Sequence, residues 1–263
     1  MGDTEREEEM ILVIGCGFVG ETVAKSLQEA GHPVIRIDPK YNDNTIDMYV
    51  GTPELRAVVC VPTPTVDGIC DDSIIREVLK ELGDTPVLLK CTVPPNMLET
   101  YPENVTYNPE FLRAKTAEED FKNQKHFILG GTPDNCGIWK NLFSYLNNPK
   151  IKRILSPVEF IETDRTTASL VKYLYNTWLA TKVAFFHEVM NNVGADRYNH
   201  KEMVNILAKF ENIGPSHMMA PNDDGGLGFG GHCFPKDTEA FLDFTNSEIL
   251  RKVIEVNNKL KEQ

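Results

Sequence analysis

The chain has 263 residues, of which 41% are hydrophobic, enough for a substantial core in one large domain or two of ordinary size. Its formal net charge of -12 argues against nucleic acid or an anionic membrane as the main partner, because both select basic surfaces. No apolar run approaches a bilayer span, and the acidic start MGDTEREEEM lacks the basic and apolar regions of a secretory signal, so a cytoplasmic protein is expected. Cys16, Cys60, Cys70, Cys91, Cys136 and Cys233 are scattered without metal-ligand spacing, which fits free thiols in a reducing compartment and no bound metal.

From residue 11, short apolar runs alternate with amphipathic stretches. ILVIG reads as a buried strand, FVGETVAKSLQEAG as a helix ending at Gly31, and PVIRID as a second strand. RAVVCV, TPVLLKC, NVTYN, HFILGG and IKRILS are further strands, with helices such as DSIIREVLKELG and NCGIWKNLFSYL between them. This alternation predicts an α/β fold, a Rossmann-type doubly wound parallel sheet covered on both faces, over residues 1–160. Beyond it EFIETDRTTASLVKYLYNTWLATKVAFFHEVMNNVGA has no internal proline or glycine until Gly194 and reads as one long helix over 162–193. Shorter helices follow around 200–209 and 248–260, giving an all-helical domain over 161–263 for substrate binding and dimerisation. The apolar content of the long helix, including WLATKVAFF, exceeds what a small helical domain buries, which predicts a homodimer paired through it. Trp178 and His187 on that helix fit packing or the dimer interface better than chemistry.

The loop GCGFVG, Gly15 to Gly20, lies between the first strand and the first helix, and Asp38 ends the next strand eighteen residues past Gly20. Gly15, Gly17 and Gly20 allow a tight turn and close approach of a pyrophosphate, with Phe18 and Val19 opening the helix whose N–H groups face it. Asp38 can accept from a ribose hydroxyl and would repel a 2′-phosphate, so NAD is the expected cofactor rather than NADP, although Arg36 and Lys40 flank it. A packing turn with no ligand and a flavin dinucleotide are the competing readings. Thr63 and Thr92 follow strand ends, the ligand edge of a doubly wound sheet, and both are candidate cofactor contacts. Thr63 also reads as a plain turn residue between Pro62 and Pro64.

Four segments in order, VCVPTP (59–64), KCTVPPN (90–96), NPEFLRAKTAEEDF (108–121) and GFGGHCFPKD (228–237), together with ASLVKYLYNTWLATKVAFFHEV on the long helix, resemble the UDP-glucose 6-dehydrogenase family of nucleotide-sugar dehydrogenases. That family oxidises an alcohol to a carboxylate in two NAD-dependent steps, and the resemblance covers residues 11 to about 260. It implies that Cys233 is the nucleophile, forming a thiohemiacetal and then a thioester. It also implies that Asp237 helps activate the hydrolytic water, with Glu110 and Thr92 in the same acid-base group. Lys172 and Asn176, four apart on one helix face, resemble the pair that stabilises charge on the C6 oxygen. Phe111, Leu112, Arg113, Phe229 and Gly230 complete the implied substrate contacts. Each residue has a plainer reading: Lys172 and Asn176 as a solvated helix stripe, Glu110 as a cap or ion-pair residue, Asp237 as the N-cap of a helix over 238–244.

Three departures from the family pattern stand out. Ala114 replaces a second glutamate, Asn212 stands at an arginine-like place, and the family continues into a further α/β domain beyond the helix matched by SEILRKVIEVNNKLK. The expectation is therefore a compact form lacking most of that domain and acting on UDP-glucose, with GDP-mannose or another nucleotide sugar as the alternative. A non-catalytic NAD-binding dimer and a single-step dehydrogenase of a small hydroxy acid are the competing functions. The latter would not need Cys233.

Overall fold

The run Ile11–Ile14 forms strand β1 with every side chain buried, which requires cover on both faces of the sheet. Alternation along it divides the core into two layers. Leu12 and Ile14 join one cluster with Val59, Leu89 and Tyr107, whereas Ile11 and Val13 join another with Val58, Leu88, Phe127 and Trp139.

The computed structural model describes residues 9–147, 157–194, 198–222 and 224–262. After β1 come α1 (Phe18–Glu29), β2 (Val34–Ile37), β3 (Arg56–Val59), β4 (Thr65–Val66), β5 (Ile69–Cys70), α2 (Ser73–Leu82), β6 (Val87–Leu89), α3 (Pro95–Leu98), β7 (Val105–Tyr107), α4 (Ala117–Asn123), β8 (His126–Gly130) and α5 (Pro133–Leu142). Then follow β9 (Glu159–Thr163), α6 (Arg165–Val193), α7 (His200–Leu207), α8 (Phe234–Thr245) and α9 (Glu248–Lys261). Among the described residues a seven-stranded sheet runs in the order β2-β1-β3-β6-β7-β8-β9.

The α/β class expected from the sequence is the one observed, with one departure from a wholly parallel sheet. β7 and β8 are antiparallel and meet only at Tyr107 and Gly130, while every other neighbouring pair in this sheet is parallel. The junction is completed by a side chain, since Asn108 Nδ2 donates to the Ile128 carbonyl at 2.6 Å. A Cβ on Gly130 would stand 2.7 Å from that of Ala168, so the close approach of α6 excludes a side chain there.

The long helix starts at Arg165 rather than 162, because Glu159–Thr163 pairs with β8 as an edge strand and Asp164 receives the Thr167 N–H at 2.8 Å. The strand expected at IKRILS lies outside the described residues. β4 and β5 form a hairpin that was not anticipated, turning at Asp67 and Gly68, both with positive φ.

Two compact units result. The first holds the residues up to Pro64 and Asp71–Lys172, and the second holds Thr65–Cys70 and the residues from Tyr173 on. In the second, Ala180, Val183 and Ala184 of α6 pack with Phe229 and Val253, and the rings of Tyr173 and Phe241 stack at 5.1 Å. No helix among the described residues is long and apolar enough to cross a membrane.

Candidate functional site

In the first unit the glycine loop is shaped by contacts that differ from one glycine to the next. Gly15 has φ +87° and a Cβ on it would lie 2.7 Å from the Cys60 carbonyl oxygen. On Gly20 a Cβ would fall 1.9 Å from the Gly15 oxygen. These two serve the turn and the packing of α1. Around Gly17 nothing lies within 4 Å of such a Cβ, so the protein itself does not require glycine there. Gly17 is the N-cap of α1 and no side chain caps the helix, which leaves the first-turn N–H groups at Phe18 and Val19 available to a ligand.

Asp38 is joined to this loop. Its Oδ2 accepts the Cys16 N–H at 2.7 Å and its Oδ1 the Lys40 N–H at 2.9 Å, so the carboxylate is held in place at the end of β2. Arg36 is turned to Glu21, donating through Nε at 2.8 Å and Nη2 at 3.2 Å, and its guanidinium is already occupied by a carboxylate. Thr63 Oγ1 donates to the Thr92 carbonyl at 3.0 Å, tying together the segments that leave β3 and β6.

Glu110 and Lys172 also meet in the first unit. Glu110 Oε1 accepts the N–H groups of Phe111 at 2.7 Å and Leu112 at 3.0 Å, and Oε2 pairs with Lys90 Nζ at 2.8 Å. Lys172 donates to the Glu110 main-chain carbonyl and lies 5.0 Å from the Phe111 ring centroid. Leu112 packs at the edge of the Phe121 and Phe127 cluster. Arg113, by contrast, gives its guanidinium to Asp120, with Nη2 to Oδ1 at 2.6 Å and Nε to Oδ2 at 3.0 Å.

In the second unit Cys233 is the N-cap of α8, which begins four residues earlier than expected. Asp237 is consequently inside the first turn rather than capping it. Asp237 is buried, and its Oδ2 accepts from Asn176 Nδ2 at 2.6 Å while Oδ1 pairs with Lys236 Nζ at 2.6 Å. Lys172 and Asn176 are both buried, so a solvated stripe does not describe them. The Asn257 side chain clamps Phe229, accepting its N–H at 2.6 Å and donating to its carbonyl at 3.2 Å. His187 accepts from Gly228 N–H at 2.9 Å and faces the Met219 carbonyl at 2.7 Å, a packing role within one chain. Gly230 is exposed beside the clamp.

The cysteines separate cleanly. Cys233 is exposed, while Cys70, Cys91 and Cys136 are buried and Cys16 and Cys60 are half-buried. Burial pushes the Cys60 thiol up to about 12 and that of Cys136 to about 11, and it raises Cys16 as well. Lys90, Asn108 and Asn257 were missed from sequence. Lys90 had a signal, a charged residue at the end of the apolar run VLLKC. Among the described residues no group of three or more His, Cys, Asp or Glu could hold a metal ion.

Residues 166–259 match the sequence model of the UDP-glucose/GDP-mannose dehydrogenase family, central domain. The chain is 31% identical over 225 residues to a UDP-glucose 6-dehydrogenase of Rickettsia bellii, covering 76% of this chain and 48% of that protein, so it spans about half the length of that relative. It is 26% identical over 305 aligned positions to the UDP-glucose 6-dehydrogenase AglM of Haloferax volcanii, covering 94% and 69%. In fold it is similar to a UDP-glucose dehydrogenase from Pyrobaculum islandicum, with TM-score 0.78 and 24% identity over 98% of this chain and 70% of that one. It is also similar in fold to 3-hydroxyisobutyrate dehydrogenase of Mycobacterium tuberculosis, with TM-score 0.68 and 15% identity over 95% and 93% of the two chains.

Proposed function

Since the chain belongs to the UDP-glucose/GDP-mannose dehydrogenase family, we propose that it oxidises the C6 hydroxyl of a nucleotide sugar to the carboxylate, with UDP-glucose as the first candidate and GDP-mannose the second. The observation that carries this reading is the pairing of an exposed thiol, Cys233, with a buried carboxylate one turn further along α8, Asp237, that Asn176 holds from α6.

The glycine loop fits NAD. Open space at Gly17, uncapped N–H groups at Phe18 and Val19, and a fixed carboxylate at Asp38 match a pyrophosphate and a ribose diol. With Arg36 occupied by Glu21, the reading of NAD over NADP gains support. Bound there, NAD would accept the hydride in both oxidations.

In the first oxidation C6 gives up a hydride and the hydroxyl proton passes to solvent, leaving an aldehyde. Cys233 then adds as thiolate to the aldehyde carbon, a C–S bond forms, and the negative charge moves to O6. The donors assigned to that oxygen are Lys172 and the second N–H of Asn176. Loss of the second hydride leaves a thioester. Water adds to its carbon, Asp237 accepts one of its protons while the other passes to solvent, and the C–S bond breaks to release the uronate and the thiolate. Thr63 and Thr92 would contact the cofactor, and Phe111, Arg113, Phe229 and Gly230 the sugar nucleotide.

We assign cofactor binding to residues 1–160, which also contribute Phe111 and Arg113 to the sugar nucleotide, and the remaining substrate contacts and self-association to 161–263. Incubation of the purified protein with NAD and a panel of nucleotide sugars tests the proposal. Two NADH per sugar with a uronate is the expected result. One NADH with a carbonyl product would instead indicate a single-step dehydrogenase of the hydroxy-acid kind, and NAD binding without turnover would indicate a non-catalytic role.

A further inference from the structure

The chemistry above gives no part to Lys90, yet its side chain is only 3% exposed. An ammonium so placed is strongly unfavourable unless its charge and protons are met. Nζ lies 2.8 Å from Glu110 Oε2, donates to Asn108 Oδ1 at 2.5 Å, and stands 5.8 and 5.7 Å from the ring centroids of Phe121 and Phe127. Asn108 is anchored in turn, its Nδ2 on the Ile128 carbonyl at 2.6 Å, so the ammonium is tied to β8 as well as to its own strand.

Glu110 passes this order on. Because Oε1 accepts the N–H groups of Phe111 and Leu112, the chain after Glu110 wraps around that residue's own carboxylate. The main-chain carbonyl of the same residue receives Lys172. Two buried lysines thus act on opposite ends of one residue. We propose that Lys90 is a positioning residue that fixes the Glu110 carboxylate, and so sets the turn at residues 110–112 and the place of the Lys172 ammonium. On this geometry Glu110 serves as an anchor, with Oε1 accepting two main-chain N–H groups and Oε2 held in the ion pair with Lys90. The importance of Lys172 to turnover rests on the proposed function, but its coupling to Lys90 does not.

The test follows Lys172 directly, by competitive acetylation of the folded protein with mass-spectrometric readout. Lys90→Met alone strands the Glu110 charge and risks the fold, so the main variant is Lys90→Met with Glu110→Gln, which removes both charges together. Lys172 should acetylate at least about 5-fold faster in it, because the turn is no longer held, and Lys182, a buried lysine bonded to Ile213 and Gly214, should be unchanged. With a nucleotide sugar that turns over, kcat should fall at least about 10-fold with KM for NAD within about 2-fold. Asn108→Ala, which keeps both charges and frees Lys90 on one side, is the second variant, expected to raise Lys172 acetylation about 3-fold. Unchanged acetylation of Lys172 in whichever variant folds overturns the proposal. Acetylation needs no turnover, so a wild-type protein inactive toward every sugar would count against the proposed function and leave this result decisive.

Discussion

The side-chain amide of Asn176 donates to Oδ2 of Asp237 across 2.6 Å, and both residues are buried. The bond joins α6 to the first turn of α8, and it fixes a carboxylate whose other oxygen is held by Lys236. Asp237→Asn keeps an acceptor for Asn176 but loses the ion pair with the partly exposed Lys236, so stability should fall by about 1 kcal/mol. Uronate formation should fall by at least about 100-fold. Asn176→Leu leaves a buried carboxylate oxygen without its amide and should cost about 1–3 kcal/mol. Thermal melts run beside product assays separate the two, and equal loss of stability in both variants would count against the assignment of Asp237 to chemistry.

The glycines of the loop should respond differently to substitution. Gly17→Ala places a Cβ in open space at an ordinary φ of -67°, so the fold should be untouched while NAD affinity drops at least about 10-fold. Gly20→Ala drives a Cβ into the Gly15 carbonyl and should cost about 1–3 kcal/mol through forced backbone movement. Calorimetric titration of NAD together with melting curves reads both. Unaltered NAD binding in Gly17→Ala would remove the loop from the cofactor site.

Iodoacetamide offers a direct view of the thiols. Cys233 is the exposed one, and burial holds the Cys60 and Cys136 thiols up at about 12 and about 11, where little thiolate exists near neutral pH. Peptide mapping should find Cys233 alkylated first, with protection by bound nucleotide sugar. Cys233→Ser should bind NAD normally and nearly abolish acid formation, because a hydroxyl supplies far less nucleophilic anion. Full turnover to the acid in that variant would end the covalent mechanism.

Asp120 gives a pH dependence. Arg113 hydrogen bonds hold its carboxyl at about 2, below the ordinary 3.8, with Thr116 assisting. A carboxyl whose folded value is depressed stabilises the fold above the unfolded value, and that contribution is lost as pH falls from about 4 through about 2. Solvent screens the pair, since the Arg113 side chain is 76% exposed, and its worth is on the order of 1 kcal/mol. The melting difference between wild type and Asp120→Ala should be present at neutral pH and should vanish toward pH ~2. A difference that stays constant over that range would show that the pair carries no such stability.

Self-association can be tested on α6. Leu174, Trp178 and Phe185 are 57%, 63% and 58% exposed at spacings of four and seven, which places them along one stripe of the helix. Covering that stripe with a second copy is the arrangement we propose. Light scattering at micromolar concentration should report a dimer for the wild type and a monomer for Trp178→Glu with Phe185→Glu. A monomeric wild type would refute the pairing.

Local pattern made much of the fold legible. The apolar run at Ile11–Ile14, the glycine loop and Asp38 lie close in sequence, and their geometry follows from strand and helix periods alone. What escaped was set by partners far along the chain. Glu159–Thr163 is a poor strand by its own composition, with two glutamates, and is one only because β8 offers an edge. The burial of Lys90 depends on Asn108, eighteen residues away, and the committed state of Arg36 on Glu21, fifteen away. Asn176 and Asp237 are 61 apart, so their spacing on separate helices could suggest roles and not a bond. Motif order supplied the site residues, and only the fold could say which of them touch.

The hairpin at Thr65–Cys70 bears on how the chain is made. It belongs to the second unit, where Thr65 Oγ1 donates to the Lys236 carbonyl at 3.3 Å, 171 residues later in sequence. At ribosomal speeds of about 5–20 residues per second, the hairpin emerges roughly 10–30 s before the helix it packs on. During that interval Val66 and Ile69, which remain more than half exposed even in the finished fold, have no partner from α8. A truncated chain ending at Lys172 would carry the same stranded ribbon permanently, and one starting at Tyr173 would lack it, so neither unit can be excised by a single cut without leaving a piece of the other behind.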